Sequence, residues 1–275
     1  MDGRFVNRPT SRGQLTPDPR APLARLNPPA WAAHAIRHFW VVEWSLPDGE
    51  QSRQLVLGYP VLNFVAEPDR LAIYGPTTAA GTRVLEGTGW AVGALLRPAA
   101  TPLFTDRPAR FANAERDVEA PELHCAVVRA MTRAAPAESR FAEATHAVAR
   151  WIAERLPEAG ARGLEANRLA DLADSEPGLL RVPDLAAAMG ASERTLGRLA
   201  ADFLGPTPAA IMRRRRIQLA AERLRADPAT PLAGLAQDLG YADQPHLTRD
   251  FRAVLGVTPR EYAQMAAPAP PTAVS

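Results

Sequence analysis

The stretch LAAAMGASERTLGRLAADFLGPTP at residues 185–208 is repeated as LAQDLGYADQPHLTRDFRAVLGVTP at residues 235–259. Once a single inserted residue, Tyr241, is allowed for in the second copy, Gly190 corresponds to Gly240 and both copies end in Thr-Pro. Each copy reads as a short helix, a glycine-containing turn and a second helix, which is the helix-turn-helix pattern. An internal repeat determines architecture before detail, so these two copies predict the fold of the C-terminal third.

The helix ends in both copies carry recognisable signals. Ser192 and Asp243 precede the second helix of their copy, where a side-chain oxygen can accept from an orphan backbone N–H, and Pro245 suits the first turn. Asp184 is expected to cap the first helix of the first copy. Apolar residues recur at helical spacing and predict the buried faces, which are Leu196, Leu199 and Phe203 in the first copy and Leu247, Phe251 and Val254 in the second.

A basic helix is predicted between the copies, over residues 208–225, with Pro208 in its first turn and Asp227 and Pro228 after its end. About 18 residues at ~1.5 Å each span ~27 Å, and successive major-groove faces on one side of B-DNA lie ~34 Å apart. One copy alone would be equally consistent with an ordinary pair of packed helices. Two copies in register, joined by a basic helix, favour a unit that places two recognition helices in adjacent major grooves.

Residues 166–265 resemble the DNA-binding domain of the AraC/XylS family of bacterial transcription regulators. The most specific part of the resemblance lies in the second copy, at Leu239, Gly240, Tyr241, Asp243, Gln244, His246, Arg249, Asp250, Phe251, Gly256, Thr258, Pro259 and Tyr262. The first copy departs from the pattern at Ala200, which stands where its repeat partner is Phe251 and where the family usually has an aromatic residue. This departure puts the packing and docking of the first recognition helix in question.

Base-reading residues are expected on the outward, N-terminal part of each recognition helix. The positions that avoid the apolar stripes are Arg194, Gly197 and Arg198 in the first copy and Gln244, Pro245, Thr248 and Arg249 in the second. Arg198 and Arg249 suit guanine, and Gln244 suits adenine, because these side chains form bidentate pairs with those bases. The resemblance implies base contacts at the corresponding positions.

Phosphate contacts are predicted at Arg213, Arg216, His246 and Arg252. Residues 213–216 are four consecutive arginines, and successive helix residues rotate by about 100°, so they cannot all face one DNA backbone. Two of them are expected to approach DNA, with the others solvated or paired with acids such as Glu222. For His246, packing or capping is the alternative role.

Length and composition limit the number of domains and the class of protein only broadly. The chain has 275 residues, enough for one large or two ordinary domains, and its formal net charge is only +2, with every basic residue an arginine. The single cysteine, Cys125, excludes an intramolecular disulfide and favours a reducing compartment. The sequence contains neither a signal-peptide pattern at its start nor an uninterrupted apolar stretch of about 18 residues. A cytoplasmic protein without a membrane span is therefore expected.

Residues 1–115 are predicted to form a β-rich regulatory domain, with residues 1–28 partly extended or disordered. Short β-like runs punctuated by Pro or Gly are typical of a barrel or sandwich, and they occur at residues 38–46, 54–58, 61–66, 71–74, 82–85 and 90–96. The region is similar to the sensor-like domain of one subset of these regulators. In better-known members of the family this domain is a cupin-like barrel that binds an effector or dimerises.

Two candidate sites lie in this domain. An aromatic pocket with one cationic group, suited to an acidic effector, is predicted from Trp40, Trp44, Tyr74, Trp90 and Arg97; core packing of the aromatics is the favoured alternative. His34 and His38 are four residues apart and could act as paired metal ligands on a helix, although surface or pocket histidines are the favoured interpretation. No catalytic residues and no cofactor are predicted, because the sequence contains no Ser-His-Asp order, paired catalytic carboxylates or P-loop.

A helical connector is expected over residues 116–165. Its longer apolar stripe, at Phe141, Thr145, Val148, Ile152 and Leu156, could bury itself on the barrel, on the DNA-binding domain or on a second subunit. A hinge is predicted at residues 157–163. The DNA-binding domain then extends over residues 166–268, its first helix covering residues 165–174, and residues 269–275 form a disordered tail.

These patterns predict an α+β, multidomain protein whose partner is double-stranded DNA, and the resemblance implies that it is a bacterial transcription regulator. RNA polymerase contact, a small-molecule effector, a homodimer and the choice between activation and repression are left open. The alternative is a small-molecule-binding or metal-dependent enzyme domain fused to a helical DNA-binding module. A third hypothesis is a DNA-binding remnant that acts mainly through protein partners.

Overall fold

The computed structural model describes residues 15–176 and 178–266. Strands occupy the N-terminal part and helices the C-terminal part, so the predicted α+β organisation is confirmed. The strands are β1 (Leu23–Leu26), β2 (Ile36–Ser45), β3 (Gln51–Leu57), β4 (Asn63–Ala66), β5 (Leu71–Tyr74), β6 (Ala80–Glu86), β7 (Thr88–Leu96) and β8 (Glu115–Asp117). All six predicted strands are present, while β1 and β8 were not foreseen.

The strands form two separate antiparallel layers. Six of them make a sheet in the order β1-β2-β7-β4-β5-β8, and β3 pairs only with β6 in a two-stranded ribbon. Within residues 15–176 and 178–266 the hydrogen-bonded sheet ends at β1 and β8 and does not close into a barrel. Successive side chains of β2 point to opposite faces of the sheet, and both faces are covered. Phe39 and Val41 point into the main core, while Trp40 and Trp44 point to the other face.

Two glycines of the run at residues 87–93 are explained by the tryptophans opposite them. Trp44 pairs with Gly89 and Trp40 with Gly93 across the β2–β7 ladder. A Cβ atom added to Gly93 would lie 1.9 Å from the Trp40 ring, and one added to Gly89 would lie 2.4 Å from the Trp44 ring. The indole rings therefore cover the backbone that the glycines leave open, a cross-strand arrangement that pins register.

Helices follow from residue 121. They are α1 (Pro121–Thr132), α2 (Ala137–Arg155), α3 (Ala161–Ser175), α4 (Val182–Met189), α5 (Glu193–Phe203), α6 (Pro208–Ala226), α7 (Leu232–Asp238), α8 (Gln244–Leu255) and α9 (Pro259–Ala266). The apolar stripe of α2 packs on the sheet, where Val148 and Ile152 join Phe39 and Phe64 in one core. Of the three partners left open for this stripe, the strand-rich domain is the one it contacts. No helix of the described residues is long and apolar enough to cross a membrane.

Both helix-turn-helix units share their cores with the strand-rich domain. Val61 and Leu95 lie in the core of the first unit, built on α3 to α6. Leu15 and Leu57 lie in the core of the second unit, built on α6 to α9, and Leu57 is fully buried there. Since large apolar side chains from one part complete the core of the other, the two parts of the chain form one folded body rather than two independent ones.

Two predictions concern connecting segments. Residues 1–28 were expected to be partly extended or disordered. Residues 1–14 lie outside the described part, residues 23–26 form the extended strand β1, and Leu15 is buried, with its carbonyl accepting from the Tyr262 hydroxyl at 3.2 Å. The predicted hinge at residues 157–163 is helical from Ala161 onward. Gly163 packs against Ala99 of the strand-rich domain, where a Cβ would approach the Ala99 side chain to 3.0 Å.

Polar contacts also join α3 to the strand-rich domain. The Asn167 side chain is buried and bridges two segments, accepting from the Ala99 N–H at 2.9 Å and donating to the His34 carbonyl at 2.9 Å. Arg97 donates to Asp171 and Arg37 to Asp174, each at 2.7 Å. Because a buried amide is costly to leave unpaired, Asn167 fixes the position of α3 on this domain.

Candidate nucleic-acid interface

The turns of both helix-turn-helix units follow the repeat. Gly190 and Gly240 have φ of 66° and 72°, a left-handed conformation that disfavours other residues. Ser192 caps α5 by accepting from the Thr195 N–H at 3.2 Å, and Asp243 caps α8 by accepting from the His246 N–H at 2.7 Å. Both predicted caps are confirmed. The cap predicted at Asp184 is wrong, because α4 begins one turn earlier, with Arg181 in the cap position.

The helix between the units is α6, and Thr207 caps it through the Ala210 N–H at 3.2 Å. Its 19 residues give a length of about 28 Å at ~1.5 Å per residue, close to the expected span. A reciprocal capping box starts α9, where the Thr258 N–H donates to Glu261 at 2.6 Å and the Glu261 N–H donates to the Thr258 hydroxyl at 3.3 Å. In the second unit, α6, α8 and α9 therefore each begin at a side-chain cap, whereas α7 has none.

The outward faces of the two recognition helices are accessible. The apolar stripes are buried as predicted, with Leu196 and Leu199 inward on α5 and Leu247, Phe251 and Val254 inward on α8, whereas Phe203 is only partly buried. The proposed base readers Arg194, Arg198, Pro245 and Arg249 are exposed, and Gly197, Gln244 and Thr248 are partly exposed. Arg252, proposed for phosphate, is exposed as well.

Ala200, the departure from the family pattern, is fully buried in the first unit. Its repeat partner Phe251 is also fully buried and packs against Tyr262, with ring centroids 5.7 Å apart. Ala200 leaves more space in the core of the first unit than an aromatic residue would. Other apolar residues share this core, and they include Val61 and Leu95 of the strand-rich domain. The first recognition helix is therefore buried against the strand-rich domain on its inner side.

The environments of the four consecutive arginines differ from the prediction. Arg214 and Arg215 were expected to be solvated or paired with acids, but both are buried. Arg214 donates to the Gly58 carbonyl at 2.6 Å and to Gln218 at 2.9 Å, and its guanidinium lies 4.7 Å from the centre of the Tyr59 ring. Burial lowers the pKa of Arg214. These contacts direct the centre of α6 toward the strand-rich domain, not toward solvent.

Arg213 and Arg216 lie beside the second recognition helix, where an acidic residue faces them. Arg213 is 3.9 Å and Arg216 is 4.0 Å from the Asp250 carboxylate on α8. The Arg216 guanidinium also lies 4.3 Å from the centre of the Tyr241 ring. In the sequence, Asp250 and Tyr241 stand out only as part of the motif that carries the family resemblance. Asp250 lies three residues after Leu247, and Tyr241 lies six residues after Leu235. Neither spacing predicts the contact with Arg213 and Arg216, because that contact depends on how α8 packs on α6.

His246 is partly exposed and makes a packing contact, the role named as the alternative to a phosphate contact. Its ring meets the Tyr241 ring edge to face, with centroids 5.0 Å apart. Burial raises the pKa of the Tyr241 hydroxyl. His246 therefore packs on Tyr241, the inserted residue of the second turn, which Arg216 also contacts.

The five residues of the predicted effector pocket do not converge. Trp40, Trp44 and Tyr74 share the sheet face that the β3–β6 ribbon adjoins, whereas Trp90 is buried in the core on the opposite face. Arg97 points to α3 and pairs with Asp171. The five residues therefore do not line one pocket, because strand alternation separates Trp90 from Trp40 and Trp44 and because Arg97 turns to α3.

The histidine pair also separates. His38 lies in β2, not on a helix, and its ring is 6.0 Å from the Tyr59 ring in an edge-to-face contact. His34 precedes that strand, and its ring Nε2 lies 2.7 Å from the Leu156 carbonyl oxygen. Burial, with the positive charges of Arg25 and Arg37, lowers the pKa of His38 to about 3. Within the described residues no group of three His, Cys, Asp or Glu side chains is placed to hold a metal ion.

Two protein families match the chain. Residues 185–265 match the family described as "Helix-turn-helix domain", and residues 24–116 match a domain of unknown function (DUF6597). The first match covers both repeat copies and the helix that joins them. The C-terminal part of the chain thus belongs to a class of domains with two helix-turn-helix units.

Two relatives of known family indicate which class of helix-turn-helix domain this is. A protein of Streptomyces antibioticus is 37% identical over 81 residues, and one of Streptomyces lividans is 34% identical over 119 residues; both are named as AraC-like transcription regulators. The matches cover 30% and 43% of this chain but only 26% and 37% of the relatives. The C-terminal domain of this protein is a helix-turn-helix domain of the AraC type.

Two solved structures match the chain at lower sequence identity. ToxT from Vibrio cholerae O395 matches 84% of this chain and 99% of its own, with a TM-score of 0.43 and 9% identity. The regulator CdpR from Pseudomonas aeruginosa matches 66% of this chain and 47% of its own, with a TM-score of 0.32 and 19% identity.

Proposed function

We propose that this protein is a sequence-specific, DNA-binding transcription regulator whose two recognition helices enter adjacent major grooves. One observation carries the proposal: Arg198 and Arg249 occupy equivalent positions of the repeat, both are exposed, and a single helix of about 28 Å joins their units. A guanine contact from each arginine would give a binding site with two half-sites about one helical turn apart. Since the two units differ in sequence, the site would not be a palindrome.

The base-reading set is Arg194, Gly197 and Arg198 on α5 and Gln244, Pro245, Thr248 and Arg249 on α8. Arg252 supplies a phosphate contact next to the second set, on the exposed side of α8. Arg213 and Arg216 keep positive charge close to the same helix, although Asp250 offsets part of it. Phosphate contacts of this kind make affinity fall steeply as salt rises.

The strand-rich domain is the proposed regulatory part. It contributes core side chains to both helix-turn-helix units, so a change in its conformation would change their mutual position. The proposed contact for a small-molecule effector is the sheet face of Trp40, Trp44 and Tyr74, where the Arg83 guanidinium lies 4.9 Å from the Tyr74 ring centre. RNA polymerase contact, a homodimer and a cytoplasmic location belong to this proposal through the family resemblance.

Selection of genomic fragments by purified full-length protein tests the proposal. We expect one enriched motif with two half-sites, each weakened separately by Arg198→Ala or Arg249→Ala. Titration at two salt concentrations then separates base from phosphate contributions, because a lost phosphate contact lowers the salt dependence while a lost base contact changes sequence preference. Binding that is indifferent to sequence in every condition would reject the proposal, and turnover or metal binding by the strand-rich domain would favour the enzyme alternative.

A further inference from the structure

One carboxylate joins the second recognition helix to the helix between the two units. Asp250 lies on α8, its side chain is only 15% exposed, and its two oxygens face Arg213 and Arg216 at 3.9 and 4.0 Å. The two arginines are three residues apart on α6, so they lie on one side of that helix. Asp250 therefore occupies the gap between two cations that the phosphate prediction had assigned to DNA.

Aromatic contacts complete the same cluster. Arg216 lies over the Tyr241 ring at 4.3 Å, and Tyr241 contacts His246 edge to face at 5.0 Å. We call these five residues the Asp250 cluster: Arg213, Arg216, Tyr241, His246 and Asp250. It links α6, the turn before α8 and the first two turns of α8. A charge pair with partly buried members is screened less than an exposed pair, and removing the carboxylate leaves two like charges close together.

The cluster acts on the DNA-reading face through helix geometry. Asp250 directly follows Arg249, and neighbouring helix residues point about 100° apart. When Asp250 is held against α6, the exposed Arg249 is directed about 100° away from that contact. Bidentate recognition of a base requires a side chain held within about 0.5 Å and 10–20° of its productive geometry. The rotation of α8 about its own axis is therefore a quantity that affects specificity.

We infer that Asp250 is a positioning residue, which holds α8 on α6 through Arg213 and Arg216 and thereby sets the base preference of the second half-site. Asp250 also offsets two charges that would otherwise raise affinity for any DNA sequence. The Asp250 carboxylate repels DNA phosphates and so lowers the affinity for DNA of any sequence. Discrimination between the operator and other sequences therefore increases, because specificity is a difference between two affinities. The inference rests on the proposed function and adds the residue that orients one of its two reading helices.

The test compares Asp250→Asn with a charge-matched control in full-length protein. Asn is nearly isosteric; it removes the charge and replaces one acceptor oxygen with an NH2 donor. Asp202→Asn makes the same change on α5, where the carboxylate pairs with Arg162 at 2.6 Å in an exposed position. Affinities are measured for the selected operator, for operators with either half-site scrambled, and for a fully scrambled duplex. Thermal unfolding of each variant is recorded alongside.

We expect Asp250→Asn to lose about fivefold or more of its discrimination at the second half-site, the lower end of what one bidentate contact contributes, with the first half-site unchanged within about twofold. Asp202→Asn should raise affinity for all duplexes alike. Arg216→Lys keeps the charge but loses the planar group over Tyr241, so it should show the same selective loss without a general gain. Asp250→Glu should recover part of the discrimination.

Two results would overturn the inference. One is a uniform shift across all four duplexes for Asp250→Asn, as for the control. The other is a wild-type preference pattern for Arg216→Lys, which also settles the question if Asp250→Asn does not fold. If wild-type protein selects no motif at all, the proposed function fails and this inference fails with it. If wild-type protein selects a motif but the variants give either of these two results, the proposed function is retained and only the role of Asp250 is rejected.

Discussion

Leu57→Ala tests whether the strand-rich domain completes the core of the second helix-turn-helix unit. Leu57 ends β3 of the ribbon, is fully buried, and shares its cluster with Ile217, Leu224 and Tyr262. Burial of a leucine contributes about 1.5–3 kcal/mol, and the remaining cavity brings the usual cost of such a truncation to about 2–5 kcal/mol. For a chain of this size we expect the melting temperature to fall by at least about 4 °C.

The assay follows urea unfolding with two probes that report different parts of the chain. All five tryptophans precede residue 152, so their fluorescence reports the strand-rich domain and α2, whereas far-ultraviolet circular dichroism is dominated by the helices. In wild-type protein the two transitions should coincide, because the cores are shared. In Leu57→Ala the dichroism transition should move to lower urea and precede the fluorescence transition.

Val84→Ala is the matched control. Val84 lies on β6 of the same ribbon but is 45% exposed, so its truncation should change the free energy of unfolding by no more than about 0.5 kcal/mol. A change of that small size for Leu57→Ala would refute the shared core. Independent transitions in wild-type protein would refute it as well, since they would mean that each part folds without the side chains of the other.

Three further predictions address the interface and the stability of the fold. Arg249→Ala should weaken operator binding about 5- to 150-fold, equivalent to 1–3 kcal/mol, and relax preference at one base pair; the exposed Arg260→Ala on α9 should leave that preference intact in the same titration. Asp243→Ala removes the cap of α8 and should lower the free energy of unfolding by about 1 kcal/mol, measured in urea; no change would mean the His246 N–H finds an equal partner. His38 has a pKa lowered to about 3 in the folded state, so the unfolded chain binds its proton first and stability should fall as pH drops from about 6.5 toward 3, by up to about 1.4 kcal/mol per pH unit; His38→Gln should flatten this slope in unfolding measured at several pH values, and an unchanged slope would contradict the assignment.

Local patterns in the sequence were enough for the helix-turn-helix units. The caps at Ser192 and Asp243 and the glycines at the two turns involve residues within three or four positions of each other, and the repeat presents this local pattern twice. Interactions over such distances are the same in most folded contexts, so they can be read before the fold is known. The six predicted strands and the α2 stripe follow from periodicity for the same reason.

The tertiary structure decided the side-chain roles that the sequence left ambiguous. Four adjacent arginines are equally consistent with solvent, phosphate or burial, and only the packing of α6 against Gly58, 156 residues away in sequence, buries Arg214. Likewise Asp250 meets Arg213 and Arg216 because α8 lies on α6, and Leu15 enters the second unit from the far end of the chain. Sequence by itself determined the repeated units, most of the helices and six of the strands. The strands β1 and β8 and the mutual burial of the elements depend on long-range contacts that no local pattern specifies.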